Sequence, residues 1–217
     1  EELGIPVYTP YGPENLSKAQ PKLVVVGNAL SRGNPAVEHV LDAQLDYTSG
    51  AEWLRENVLP GRTTLAVAGT HGKTTTSSMV AWILEQAGLQ PGFLIGGVPH
   101  DFGTSARDGE QFFVVEADEY DTAFFDKRSK FVHYHPRTAV LNNLEFDHAD
   151  IFRDIEHIRE IFSDFVRKIE PNSHIIACIE NEILNQILAG TTATTETYGQ
   201  GGDWQFSHHT QRAARTR

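Results

Sequence analysis

Cysteine and methionine each occur once in the 217 residues, positive side chains are scarce, and no long hydrophobic run is present. Cys178 alone cannot close an internal disulfide, and inside the apolar run Ile175 to Ile179 it reads as a core residue of a reducing compartment. No apolar stretch approaches the ~20 residues that cross a bilayer, and no signal peptide is visible. Lys and Arg total 18 against 29 Asp and Glu, a formal net charge of −11. That balance argues against nucleic acid or an anionic membrane as the main partner, so positive charge beside a phosphate must be local. The sole methionine is Met79, so Glu1 does not read as a translation start and the chain is expected to be a fragment. Its length allows one good core, or one and a half.

What is present centres on the stretch from Ala66 to Thr76. A β-rich apolar run (Thr63 to Ala68) meets the turn Gly69-Thr70-His71-Gly72, and Lys73-Thr74-Thr75 then opens a segment with helical periodicity through Met79, Val80, Ile83, Leu84 and Ala87. In a strand, glycine loop and helix of this kind, the first N–H groups of the helix face the loop and its dipole favours an anion. Lys73 adds a full positive charge, and the Thr74 hydroxyl is placed to help hold Mg²⁺. Together these residues suit the phosphates of a nucleoside triphosphate. Val67 stands where the usual phosphate-loop pattern has its first glycine, so the loop is shorter. The plain alternative is a glycine turn before an ordinary helix.

Upstream, Glu1 to Ala19 reads as a loop with at most one short strand. Lys22 to Val26 reads as a buried parallel strand. Asn28-Ala-Leu-Ser31-Arg32-Gly-Asn34 follows as a polar loop at a strand's carboxyl end, a place for ligand contacts or an ordinary connection. Pro35 starts a helix through Val37, Val40 and Leu41. Ser49 and Glu52 form a capping box, and Pro60-Gly61 marks a hinge. Downstream, Phe93 to Ile95 and Gln111 to Val115 read as strands separated by a long glycine-rich loop, Gly96 to Arg107. The second of these strands delivers Glu116, Asp118, Glu119 and Asp121, four carboxylates within six residues, whose repulsion a metal would relieve. Phe131 to Tyr134 and Thr138 to Leu141 are further expected strands. Asn142 and His148 come next, the latter among acids where a neutral imidazole could ligate a second divalent ion. Ile151, Ile155, Ile158, Phe162, Phe165 and Ile169 define one face of a long helix. His174 to Ile179, Glu180 to Leu188 and Thr194 to Tyr198 read as strand, helix and edge strand, and no order is expected from Gln200 onward.

Gly69-Thr-His-Gly-Lys-Thr-Thr-Thr76, Glu116-Ala-Asp-Glu119 and Asn142-Asn-Leu-Glu-Phe-Asp-His148 resemble three successive motifs of the Mur ligases, ATP-dependent amide-forming enzymes of bacterial cell-wall synthesis. Asn28 to Pro35 and Glu116 to His133 look most like the murein peptide ligases of that family, which join L-Ala-γ-D-Glu-meso-diaminopimelate to UDP-N-acetylmuramic acid in peptidoglycan recycling. The sibling enzymes that add L-alanine share the three motifs.

The resemblance implies an α/β fold: a mostly parallel sheet in a P-loop-type central ATPase domain over 62–217. The C-terminal part of a UDP-sugar-binding Rossmann-like domain would precede it over 1–61. ATP and Mg²⁺ are the implied cofactors, with Gly69, Thr70, His71, Gly72, Lys73, Thr74 and Thr75 around the phosphates. Lys73, Glu116 and His148 would be catalytic. Thr74 and Glu116 would hold the first Mg²⁺ and His148 the second, while Asn28, Ser31, Arg32, Asn34 and Asn142 would meet substrate. The implied route runs through an acyl phosphate of the lactyl carboxylate, which the incoming amine attacks.

Three departures stand out. No lysine lies between Ala149 and Arg167, where several family members carry a carbamylated one. The glycine-rich turn that starts the first domain would precede Glu1. A third, acceptor-binding domain would follow Arg217, so the chain is not expected to ligate alone, and acceptor choice and oligomeric state stay open. A cytoplasmic location is expected, with no nucleic-acid partner and no membrane insertion. Against a ligase stand an ATP-binding switch, which needs no second metal site, and a small-molecule kinase.

Overall fold

The computed structural model describes residues 4–146 and 152–205. Contacts divide the chain into two units, Glu1–Pro60 with Tyr120–Tyr134, and Gly61–Glu119 with His135–Arg217. The first unit opens with α1 (Pro13–Ala19), β1 (Val24–Val26), α2 (Pro35–Asp42), β2 (Tyr47–Ser49) and α3 (Gly50–Asn57). After Pro60 the chain enters the second unit with β3 (Thr63–Ala68), α4 (Lys73–Gln86), β4 (Gly92–Leu94), β5 (Ala106–Arg107) and β6 (Phe112–Glu116). It returns to the first unit for the hairpin β7 (Asp121–Ala123) and β8 (Asp126–Ser129), followed by a 3-10 turn over Lys130–His133. The second unit then finishes with β9 (Thr138–Leu141), α5 (Ile155–Lys168), β10 (His174–Cys178), α6 (Glu182–Leu188) and β11 (Thr194–Tyr198).

Seven strands of the second unit form one sheet in the order β11-β10-β9-β3-β6-β4-β5, parallel throughout except for β5 against β4. β3 is central, which is why Ala66, Val67 and Ala68 are fully buried and its sequence is continuously apolar there. After β3 the chain passes through α4 to one side of the sheet, and later returns to β9 on the other. The loop after β3 therefore sits where the strand order reverses, at the carboxyl ends of the strands. α4 packs through its small residues, with Ser77 and Ala81 at zero exposure, and the core beside it joins Phe93, Ile95 and Val114 to Val80 and Leu84. α5 buries Ile158, Phe162 and Phe165 from the face expected by its periodicity, and Val166 besides, and Asp154 caps it by accepting from the His157 N–H at 2.8 Å.

Several expectations change. Residues 13–19 are helical, because Pro13 occupies the first helical position and Gly12 supplies an extended cap. β1 pairs in parallel only with β2 among the described residues, and Val25 is 48% exposed rather than buried. Phe131 to Tyr134 is no strand: the Tyr134 N–H donates to Phe131 O at 3.2 Å, and Phe131 and His133 are buried beside α3, so packing overrides β propensity. That segment and the hairpin before it group with the first unit. Met79 and Ile83 face outward at 59% and 61% exposure, since α4 approaches the sheet through Ser77 and Ala81 instead. Cys178 is half-buried at the end of β10 rather than in the core. Past Gln200 the described chain is held: the Trp204 N–H donates to Thr197 O at 3.0 Å, and Asp203 Oδ2 accepts from the Thr197 N–H and hydroxyl at 2.8 Å each.

Candidate phosphate-binding site

The loop between β3 and α4 is shaped by two glycines in backbone regions closed to most side chains. Gly69 has φ +137°, and a Cβ there would lie 3.0 Å from the Asn143 carbonyl oxygen; Gly72 has φ +78°, with its Cβ position 3.2 Å from Asn142 Nδ2. Gly72 caps α4 without any side-chain hydrogen bond, whereas Asn34, Ser49, Asp154 and Asn181 each cap a helix with an accepting oxygen. The first-turn N–H groups of α4 thus keep their donor capacity for a ligand.

Lys73 and Thr74 open that helix. Lys73 Nζ donates to Gly69 O at 2.7 Å and to Glu119 Oε2 at 3.0 Å, and the Thr74 hydroxyl lies 2.9 and 3.0 Å from the two Glu116 oxygens. Glu116, at the end of β6, also accepts from the Gly96 N–H at 2.8 Å. Asn142 and Asn143 extend β9 beneath the loop. Asn143 accepts twice, from the Thr70 N–H on its carbonyl at 3.0 Å and from the His71 N–H on Oδ1 at 2.8 Å. Asn142 Nδ2 donates to Thr76 Oγ1 at 3.1 Å and to His71 O at 3.3 Å.

A model of the Mur ligase middle domain matches residues 67–215. The chain belongs to the Mur ligase family. It is 56% identical over 208 residues to the UDP-N-acetylmuramate–L-alanyl-gamma-D-glutamyl-meso-2,6-diaminoheptandioate ligase of Escherichia coli (strain K12), covering 94% of this chain and 45% of that one. It is 50% identical to the protein of the same name from Haemophilus influenzae, again covering 45% of it. The chain thus spans about half the length of the curated relatives it matches. A crystal structure of the corresponding ligase from Neisseria meningitides superposes with a TM-score of 0.89 at 51% identity, over 94% of this chain and 66% of that one. The Thermotoga maritima UDP-N-acetylmuramate-alanine ligase, with TM-score 0.77 and 22% identity over 95% of this chain and 45% of that one, shares the fold.

In this Mur ligase chain the structure brings Gly69 to Thr75, Glu116 and Asn142 together at the carboxyl ends of the central strands β3, β6 and β9. Asn28, Ser31, Arg32 and Asn34 belong to the first unit. Two of their side chains are engaged locally: Asn34 Oδ1 caps α2, accepting from the Ala36 N–H at 3.0 Å, and Arg32 pairs with Glu38 through two hydrogen bonds of 2.9 Å. His148 lies outside the described residues, as does Ile151.

Three of the four clustered carboxylates have separate partners. Glu116 meets Thr74, Glu119 meets Lys73, and Asp121 turns into the hairpin to pair with Lys127 at 2.9 Å. Among the described residues no three His, Cys, Asp or Glu side chains cluster to hold a metal ion. Thr74 and Glu116 do fit Mg²⁺, which takes one or two protein oxygens and fills its remaining positions from phosphates and water.

Asn143 is a site residue to which the sequence assigns no role, and Glu119 enters only as one of four clustered carboxylates whose repulsion a metal would relieve. Glu119 is only 4% exposed, and burial pushes its carboxyl up from the ordinary value while Lys73 pulls it down. Their positions within the second and third motifs were the available signals. Beside the loop, a cleft of about 550 Å³ is lined by Cys178, Glu180, Tyr198, Gly199 and Trp204, and the Tyr198 hydroxyl donates to Asn142 Oδ1 at 3.4 Å.

Proposed function

We propose that this chain is the ATP-binding part of a ligase that joins L-Ala-γ-D-Glu-meso-diaminopimelate to UDP-N-acetylmuramic acid. The observation that carries it is the pairing of Thr74 with Glu116 at the uncapped start of α4, beside Lys73. The tripeptide is favoured over L-alanine because the relatives named for it are 50–56% identical, against 22% for the alanine ligase. Thr74 and Glu116 would hold one Mg²⁺, and His148, on its motif alone, a second. When bound, such ions offset negative charge on a phosphoryl group in transfer.

The chain's own residues position and neutralise. Lys73 and the first-turn N–H groups of α4 would hold the β- and γ-phosphates, Asn142 and Asn143 would fix the loop's shape, and the cleft at Tyr198 would take the base. Asn28 and Ser31 are the residues proposed to face the sugar nucleotide. The reaction itself is phosphoryl transfer to the lactyl carboxylate followed by attack of the peptide amine, which demands alignment more than covalent help from the protein. Among the described residues no helix is long and apolar enough to cross a membrane, and a cytoplasmic reaction beside the ATP supply is proposed.

The test is a version of the chain completed to the relatives' length, given UDP-N-acetylmuramic acid and ATP with either tripeptide or L-alanine. Formation of the UDP-linked tripeptide with one ADP released per bond supports the proposal. Turnover only with L-alanine, or ADP release without an amide product, refutes it.

A further inference from the structure

A lysine ammonium has three donors, and in the loop Lys73 directs them at more than the backbone. Nζ lies 2.7 Å from Gly69 O and 3.3 Å from Thr70 O, and 3.0 and 3.3 Å from the two Glu119 oxygens. The pair is enclosed, with side-chain exposures of 13% and 4%. A carboxylate so buried is strongly disfavoured as an ion unless a cation stays beside it. The ammonium that satisfies Glu119 is the same group a bound phosphate would recruit. Glu119 is distinct in this from Glu116, whose oxygens face Thr74 and the Gly96 N–H.

We propose that Glu119 is the positioning residue of the phosphate loop: an internal anion that pairs with Lys73 and is exchanged for phosphate when nucleotide binds. The proposal rests on the ATP-binding role given to the loop. Glu119 keeps the ammonium folded over the Gly69 and Thr70 carbonyls, inside the loop rather than out in water. An incoming phosphate then competes with a carboxylate for one cation. Binding is weaker than the loop alone would give, and departure of the spent nucleotide returns Lys73 to a waiting partner.

The test is calorimetric titration of the chain with Mg²⁺ and adenosine 5′-(β,γ-imido)triphosphate, in wild type, Glu119→Gln, Glu119→Asp, Lys73→Met and the Lys73→Met/Glu119→Gln double variant. Glu119→Gln keeps the shape and removes the charge. Removing one unit charge about 4 Å from a phosphate, at an effective dielectric of about 20, is expected to tighten binding by up to about a thousandfold. Glu119→Asp keeps the charge and is expected to bind like wild type. Melting supplies a second readout: Lys73→Met strands a buried carboxylate and melts lower, and Glu119→Gln in the same chain restores part of the loss. Unchanged or weaker binding by Glu119→Gln, with Lys73-dependent binding intact, overturns the exchange alone. Equal melting of Lys73→Met with and without Glu119→Gln also overturns it. Failure of the wild type to bind, or binding indifferent to Lys73→Met, overturns the ATP-binding role and the exchange with it.

Discussion

Replacing Gly69 by alanine tests whether the loop's shape is set by the strand behind it. An added Cβ would lie 3.0 Å from Asn143 O, 3.1 Å from Asn142 Cβ and 3.1 Å from Asn143 N. These atoms cannot easily retreat, because the Thr70 N–H donates to Asn143 O and the Asn142 N–H to Ala68 O, both at 3.0 Å. The backbone conformation, at φ +137°, adds its own penalty for a residue with a Cβ. Strained φ costs about 1–3 kcal/mol and overpacking about as much again, so Gly69→Ala should cost about 2–6 kcal/mol. Gly61→Ala is the control in the same unit, since Gly61 has φ +77° but no atom within 4 Å of its Cβ position, and only the conformational cost of about 1–2 kcal/mol applies. Urea unfolding followed by circular dichroism gives both differences, and titration with the imidotriphosphate gives the effect on binding. Gly69→Ala costing no more than Gly61→Ala, with unchanged affinity, would show that close packing on Asn142 and Asn143 does not shape the loop.

Asn143→Ala removes the acceptor of the His71 N–H and should weaken analogue binding while lowering stability by about 1 kcal/mol, read by the same titration and unfolding series. Ser49→Ala, at a fully buried cap that accepts from the Glu52 N–H at 3.1 Å, should cost about 1 kcal/mol of first-unit stability and leave nucleotide affinity as it was. Asp126 is held at about 2 against an ordinary 3.8, chiefly by the Arg128 guanidinium. A depressed carboxyl stabilises the fold above its unfolded value, so this contribution should fade as pH falls from 3.8 towards 2, and Asp126→Asn should flatten the acid limb of the pH–stability curve.

The phosphate loop was legible because every cue for it is local: a continuous apolar strand, two glycines, and Lys73-Thr74 at a helix start. α5 was legible because its apolar face repeats over four turns. What escaped depends on distant partners. Glu119 meets Lys73 across 46 residues and Asn143 meets His71 across 72, separations that no spacing rule reports. The acidic run suggested a shared metal, yet Glu116, Glu119 and Asp121 each have a separate partner. Met79 and Ile83 mark the helix correctly by their period yet lie exposed, because α4 approaches its sheet through small residues. α1 was hidden by Gly12 and Pro13, which read as loop composition but act as a helix start. Asn34 and Arg32 sit in the polar loop expected to contact substrate, while Asn34 caps a helix and Arg32 holds Glu38, local duties that polar residues after a strand often serve.

The most direct measurement is the binding of Mg²⁺ with adenosine 5′-(β,γ-imido)triphosphate to this chain and to Lys73→Ala, by titration calorimetry. Saturable 1:1 binding that requires Mg²⁺ and disappears with Lys73→Ala is the predicted result. Binding of equal strength in both, or binding indifferent to Mg²⁺, would contradict the assignment of Lys73, Thr74 and Glu116 to a nucleotide triphosphate site.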